Sequence, residues 1–183
     1  MLKSIVSAGN DITVTQEDTS IHGVPALGGS PLNREWFHNG RASATIAGPG
    51  ADQFKASTFE VGYQVAWTAS LDGSIAVSWT SPTLGLGMGQ GVKDGAALSD
   101  GFVDGNIQVL PTATASLALT PAPGVAEISL VQGTFDGAAK SVQLANVHGT
   151  ASNVVGSVQL RPFVRLTTAN GDQVTTHGEV ATV

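Results

Sequence analysis

Residues Asn106 to Thr120 read NIQVLPTATASLALT. The odd positions Ile107, Val109, Pro111, Ala113, Ala115, Leu117 and Leu119 are all apolar, and the even ones are Asn106, Gln108, Leu110, Thr112, Thr114, Ser116, Ala118 and Thr120. A period of two sets alternate side chains on opposite faces of an extended strand. At about 3.3 Å per residue this predicts an arm of roughly 45 to 50 Å, where an ordinary strand has about five or six residues. A small core does not require a strand of that length.

A second alternating segment precedes it. Ile75, Val77 and Trp79 oppose Ser74, Ser78 and Thr80; after Ser81-Pro82 the phase flips, so that Leu84, Leu86 and Met88 oppose Thr83, Gly85 and Gly87. A proline at such a switch marks a bulge or a sheet edge. Residues 73–92 and 105–126 carry no formal charge, while Lys93, Asp94, Asp100 and Asp104 lie between them. The pattern predicts a long hairpin with uncharged arms and a charged, glycine-rich tip. The glycines at 85, 87, 89 and 91 follow G-x-G-x-G-x-G, with neither G-x-G-x-x-G nor GK[ST] nor a strand-to-helix context, so the run does not form a nucleotide cradle.

A hairpin of this length cannot satisfy its outer backbone groups or bury its apolar face alone, so it lies on its own domain, pairs with copies of itself, or both. Closing hairpins from several chains into a barrel removes every edge. It would turn Ile75, Val77, Trp79, Ile107 and Val109 toward lipid, and Asn106, Gln108, Thr112, Thr114, Ser116 and Ala118 toward water. Soluble sandwiches show the same alternation, with the polar face meeting solvent. The periodicity therefore leaves open a membrane pore and a soluble β-sandwich module that docks a binding or adhesion partner through its hairpin.

The remainder of the 183 residues reads as strand. In TFEVGYQVAWT, Phe59, Val61, Tyr63, Val65 and Trp67 share one face. Shorter alternations at 11–15, 42–47, 125–131, 141–147, 157–166 and 173–180, with turn residues such as Asn170-Gly171-Asp172 between them, predict an all-β sandwich. The expected division is a rim sandwich of residues 1–72 and 121–183 interrupted by a stem of 73–120, with Pro121-Ala122-Pro123-Gly124 as the point of re-entry. One short helix is expected at Ser30 to Gly40, where serine stands as N-cap, proline at the first helical position and glycine as stop.

Composition narrows the function. Charged residues make up 12% of the chain and hydrophobic ones 42%, with a formal charge of -6, so nucleic acid has no electrostatic attraction to it. The absence of cysteine removes disulfides, thiolate nucleophiles and cysteine-ligated zinc. His22, His38, His148 and His177 show no ligand spacing and read as surface or polar-core residues; no nucleophile elbow is present, and neither a catalytic site nor a cofactor is expected. Arg34 with Glu35, and Arg161 with Arg165, read as sources of rim salt bridges or subunit contacts. The start MLKSIVSAGND lacks the apolar stretch of a signal peptide, so export would make Met1 a trimmed start.

REWFHNGRA at 34–42, AGPGAD at 47–52, FEVGYQ at 59–64, SWTSP at 78–82, NVHGT at 146–150, VQLRPFVRL at 158–166 and GDQVTTHGE at 171–179 together resemble the MspA-type porins of the mycobacterial outer membrane. The resemblance runs from about Thr13 to Glu179. It implies an exported homo-octamer in a mycolic-acid outer membrane, each chain giving a sandwich rim and one hairpin, so that eight hairpins close a 16-stranded barrel around water. It implies passage of small hydrophilic solutes and ions through a ring of neighbouring aspartates. In this chain those positions fall on Gly87 and Met88, and Ala118 replaces an acidic residue of the vestibule. Gly87, Met88, Gln90, Lys93, Asp94, Asp100 and Asp104 are thus the candidate constriction, with one Lys and three Asp giving a weak to moderate cation preference.

Overall fold

The computed structural model describes residues 1–80, 91–93, 96–98 and 112–183, with only the backbone described at 79–80, 91–93, 96–98 and 112–114. Eleven strands are present among these residues: β1 (Leu2–Ser7), β2 (Asn10–Val24), β3 (Arg34–Ala47), β4 (Ser57–Thr80), β5 (Gly91–Lys93), β6 (Ala96–Leu98), β7 (Thr112–Ala118), β8 (Gly124–Phe135), β9 (Ala139–Thr167), β10 (Gln173–His177) and β11 (Ala181–Thr182). A single 3-10 turn covers Ala51–Gln53. The chain is all-β, as its periodicity predicts.

Two long antiparallel strands, β4 and β9, form the spine of a nine-stranded sheet and pair from Thr58↔Thr167 to Ser78↔His148. Along the other edge of β4 lie β8, from Ser57 to Trp67, and β7, from Ser74 to Thr80. The other edge of β9 carries β3, then β11 and β10. The sheet continues through β2 to β1 and curls until β2 meets β10, where the buried Gln16 Nε2 donates to the Thr176 carbonyl at 2.9 Å.

The curl encloses one core. Ile12, Val14, Ala44, Val142 and Leu144 face it from one side, and Phe59, Val61, Tyr63, Val65, Leu130, Leu160 and Leu166 from the other. Alternate residues of β4 are the buried ones, so the five positions read as one face of TFEVGYQVAWT do share the interior. Each large apolar side chain removed from water contributes about 1.5–3 kcal/mol, which is what holds a chain without disulfides closed.

The helix expected at Ser30 to Gly40 is not formed. Pro31 and Leu32 make a turn, and Arg34–Ala47 is strand β3, paired with β2 on one side and β9 on the other. Pairing on both edges satisfies the backbone groups that a helix would have satisfied internally, and it buries Trp36 completely. Capping signals contribute about 1 kcal/mol and cannot compete with that burial.

The segments 141–147 and 157–166, expected as separate strands, belong to the one 29-residue strand β9. Asn146, Asn153 and Gly156 adopt positive φ along it, bending the strand without ending it. Opposite, the β4 register jumps between Ser70 and Ser74 where Asp72 also has positive φ. Residues 119–123 connect β7 to β8 and are pinned by Trp67 Nε1, which donates to the carbonyls of Thr120 and Ala122 at 3.0 Å each.

Candidate channel-lining face

Beyond the bulge at Asp72, the strands lie in the order β3-β9-β4-β7, and their registers align three rows. Phe37 faces His148, His148 faces Ser78, and Ser78 faces Thr114; Glu35, Thr150, Ala76 and Ser116 form the next row; Ser152, Ser74 and Ala118 form the third. Ser74, Ser78, Ser116 and Ala118 are exposed, and Ser74 Oγ lies 3.2 Å from Ser152 Oγ. Small hydroxylated side chains thus cover one continuous surface of the sheet.

The opposite surface is apolar, and it corrects two expectations. Ile75 and Val77, placed toward lipid by the sequence pattern, are 0% and 1% exposed within this one chain and belong to its core. Since β9 continues alongside β4 as far as Ser78, residues read as a free hairpin arm are inner strands of the curled sheet, and their apolar side chains join its core. The β4–β9 register shifts between Ser70 and Ser74, around the 72/73 boundary expected between rim and stem, and pairing resumes from Ser74 to Ser78. Leu117 and Ala115 on β7 are half-buried against the same core.

Ser116 and Ala118, expected to meet water, are exposed on the polar surface, and the β7 backbone gives Thr112 and Thr114 the same register parity. Trp79 and Lys93 are described by backbone alone, the latter paired with Ala96. Gly87, Met88, Gln90, Asp94, Asp100, Asp104, Asn106, Ile107, Gln108 and Val109 lie outside the described residues.

Glu35, read with Arg34 as a source of rim salt bridges or subunit contacts, pairs with His148 on this surface. Glu35 Oε1 lies 2.8 Å from His148 Nε2, and Glu35 Oε2 accepts the Leu27 N–H at 2.9 Å. The Leu27 amide, then the His148 ring, hold the Glu35 carboxyl below the usual carboxylate range. Phe37 stacks on the His148 ring with centroids 5.0 Å apart. The His148 side chain remains 35% exposed. A helical Glu35 could not have met His148; strand pairing between REWFH and NVHGT brings them together.

The other motif residues serve the wall. Trp36 lies across Gly149, where a Cβ would come within 2.1 Å of the indole. His38 Nδ1 is 2.6 Å from Tyr63 Oη; burial lowers the histidine to a pKa of about 4 and raises the tyrosine. On the outer rim Arg165 bonds Glu60 at 3.0 Å and Glu127 at 2.9 Å and stacks 4.6 Å above the Phe163 ring, fulfilling the salt-bridge expectation for that arginine. Arg34 instead donates to backbone carbonyls of Pro31, Asn33 and Gly156. No cluster of three potential metal ligands occurs among the described residues.

Known proteins resemble this chain over nearly its whole length. The MspA family profile matches residues 8–182. Porin MspD of Mycolicibacterium smegmatis is 39% identical over 97% of this chain and 84% of its own length. Porin MspB and porin MspA of the same organism are each 39% identical over 92% of this chain, covering 76% and 78% of their lengths. These relatives are channels rather than enzymes. With the motif residues packed against one another in a single curled sheet, the chain belongs to the MspA family.

Proposed function

We propose that the chain is the subunit of a homo-oligomeric porin, which carries small hydrophilic solutes and ions by passive diffusion across a mycolic-acid outer membrane. The observation that carries this is the division of the β3-β9-β4-β7 sheet into a polar surface of small hydroxyl groups around Ser74, Ser116 and Ser152 and an apolar one whose Ile75 and Val77 are buried in the core. A wall of small polar groups binds no solute tightly, which suits free diffusion through water. The stem of residues 73–120 supplies the membrane-crossing hairpin, with Asn106 and Gln108 continuing the watery face and Ile107 and Val109 meeting lipid.

Eight copies close 16 strands and leave an aqueous channel. Gly87, Met88, Gln90, Lys93, Asp94, Asp100 and Asp104 set the constriction, and the net negative charge of the tip gives a weak to moderate preference for cations. Purified protein in detergent is expected as a particle with eightfold symmetry, eight chains of 18.5 kDa making about 148 kDa of protein, and as step-like conductance in planar bilayers. A monomer without conductance would favour the soluble docking module, and a reversal potential favouring anions would remove the cation preference.

A further inference from the structure

We propose that β8 of one subunit packs edge to edge against β1 of the next, joining the rims of neighbouring chains; this rests on the reading of the protein as a closed ring of identical subunits. Such a ring is closed by a head-to-tail interface, in which two different patches of each chain meet. The sheet supplies two such patches at its two ends. β1 stands at one end, paired with β2 alone, and β7 and β8 stand at the other, each paired with β4 alone.

Continuity with the stem sets the direction. β7 and β8 lie along the same edge of β4, β7 from Ser74 to Thr80 and β8 from Ser57 to Trp67. For hairpins to close a barrel, the outer edge of β7 must turn to the next chain, since its inner edge is taken by β4. The outer edge of β8 therefore turns to that same neighbour. Over its 12 residues it runs about 40 Å and pairs with no described strand. Its sequence GVAEISLVQGTF holds neither proline nor lysine, the residues that guard solvent-exposed edges, and a single bulge at Leu130 interrupts it. β10 and β11 also end on β9, but they are five and two residues long, and β10 already meets β2.

The side chains at the two ends match in kind. Val125 of β8 is 74% exposed, and Leu2 and Val6 of β1 are 63% and 72% exposed on one face of that strand, while Ile5 packs against the core from the other. Apolar groups left in water on the isolated chain favour an arrangement that covers them. The one charge of β1, Lys3, and the one charge of β8, Glu127, have opposite signs, so no like charges are forced together. Main-chain hydrogen bonds between the two edges hold the pair, and the alternating side chains fix its register.

The chain has no cysteine, so the contact is open to trapping. Ser4→Cys or Val6→Cys is combined with Val125→Cys, Ser129→Cys or Gln132→Cys, and the detergent-solubilised oligomer is treated with a short bis-maleimide. At least one pair is expected to give a ladder of covalent multimers on a denaturing gel, while each single-cysteine protein gives none, because the two patches differ. Separately, Val125→Lys and Val6→Lys are expected to lower the assembled fraction roughly tenfold or more in mass photometry, with strand content by circular dichroism unchanged. Leu27→Lys, as exposed but on the loop before β3, is expected to assemble as wild type does. Oligomers in which no pair gives a ladder overturn the inference, as do ladders from single cysteines, lysine variants that assemble normally, or an equal loss in Leu27→Lys. Any of these leaves the porin reading intact; wild-type protein that stays a monomer removes that reading and this inference with it.

Discussion

Replacing Gly149 by alanine tests how the wall of this protein is built. Gly149 lies on β9 opposite Trp36 of β3, and a Cβ there would stand 2.1, 2.3 and 2.5 Å from three indole atoms. Contacts below 3 Å cannot persist, so the indole must move. Trp36 is 0% exposed in a close-packed interior, and it cannot swing aside without displacing neighbours. Overpacking of this kind costs about 1–3 kcal/mol. An intrinsic effect works the other way, because glycine inside a regular strand is about 0.5–1 kcal/mol less favourable than alanine. The steric effect wins, and Gly149→Ala is expected to lower the thermal midpoint of the detergent-solubilised oligomer, read by circular dichroism at a fixed scan rate since such unfolding is commonly irreversible. In a Trp36→Leu background the clash is gone, and the same substitution should become neutral or favourable, a coupling of about 1–3 kcal/mol. A Gly149→Ala protein as stable as wild type, or equal losses in both backgrounds, would refute the account of Trp36 as the reason for the glycine.

Three further outcomes follow from the same structure. His38 is held neutral, with its pKa lowered from 6.5 to about 4 by burial, so the unfolded chain takes up the proton first as pH falls. Stability is full above pH 6.5 and declines by about 3 kcal/mol as pH falls to about 4, and denaturant midpoints of His38→Gln should lose that part of the acid dependence. Glu35→Ala removes the acceptor of the Leu27 N–H, so hydrogen exchange should accelerate in residues 25–33 while β4 amides keep their protection; unchanged exchange at Leu27 would contradict the role given to the carboxylate. Ala118→Asp places a charge on an exposed position of the hydroxyl surface, so it should raise cation preference at low salt and leave the oligomer intact; an unchanged preference would show that Ala118 faces away from the channel.

Period two carried most of the fold. It put Phe59, Val61, Tyr63, Val65 and Trp67 on one face, and all five are in the core. It failed at REWFHNG because local capping signals and alternation coexist there, Trp36, His38 and Gly40 inward against Glu35 and Phe37 outward, and only the neighbours β2 and β9 decide between them. It split β9 in two because asparagine and glycine look like loop punctuation, while at positive φ they serve as bends in a continuing strand. The candidate site was legible to the extent that one strand reveals its own faces: Ser116 and Ala118 were separable from Leu117. The burial of Ile75 and Val77 was not, since the curled sheet that encloses them is continued by β9, some 70 residues away in sequence.

The motifs that carry the family resemblance have a common physical role. Trp36 needs Gly149, Glu35 holds His148, His38 meets Tyr63, and Gly62 leaves room for Phe163, whose ring a Cβ there would approach to 2.8 Å. Gly178 lies against Pro162, and Gly48 and Gly50 close around the Asn10 side chain. REWFH, NVHGT, FEVGYQ, LRPF, THGE and AGPG are thus the contacting halves of one packing problem, the curled sheet of the rim. Changing one half leaves its partner with a clash, a cavity or an unpaired polar group. Ala118 has no such partner: it stands exposed on the hydroxyl surface, where a side chain alters charge without disturbing a core. In the proposed channel, fold and filter therefore fall on different residues of the same strands, the inward positions fixing the sheet and the outward ones free to vary in charge.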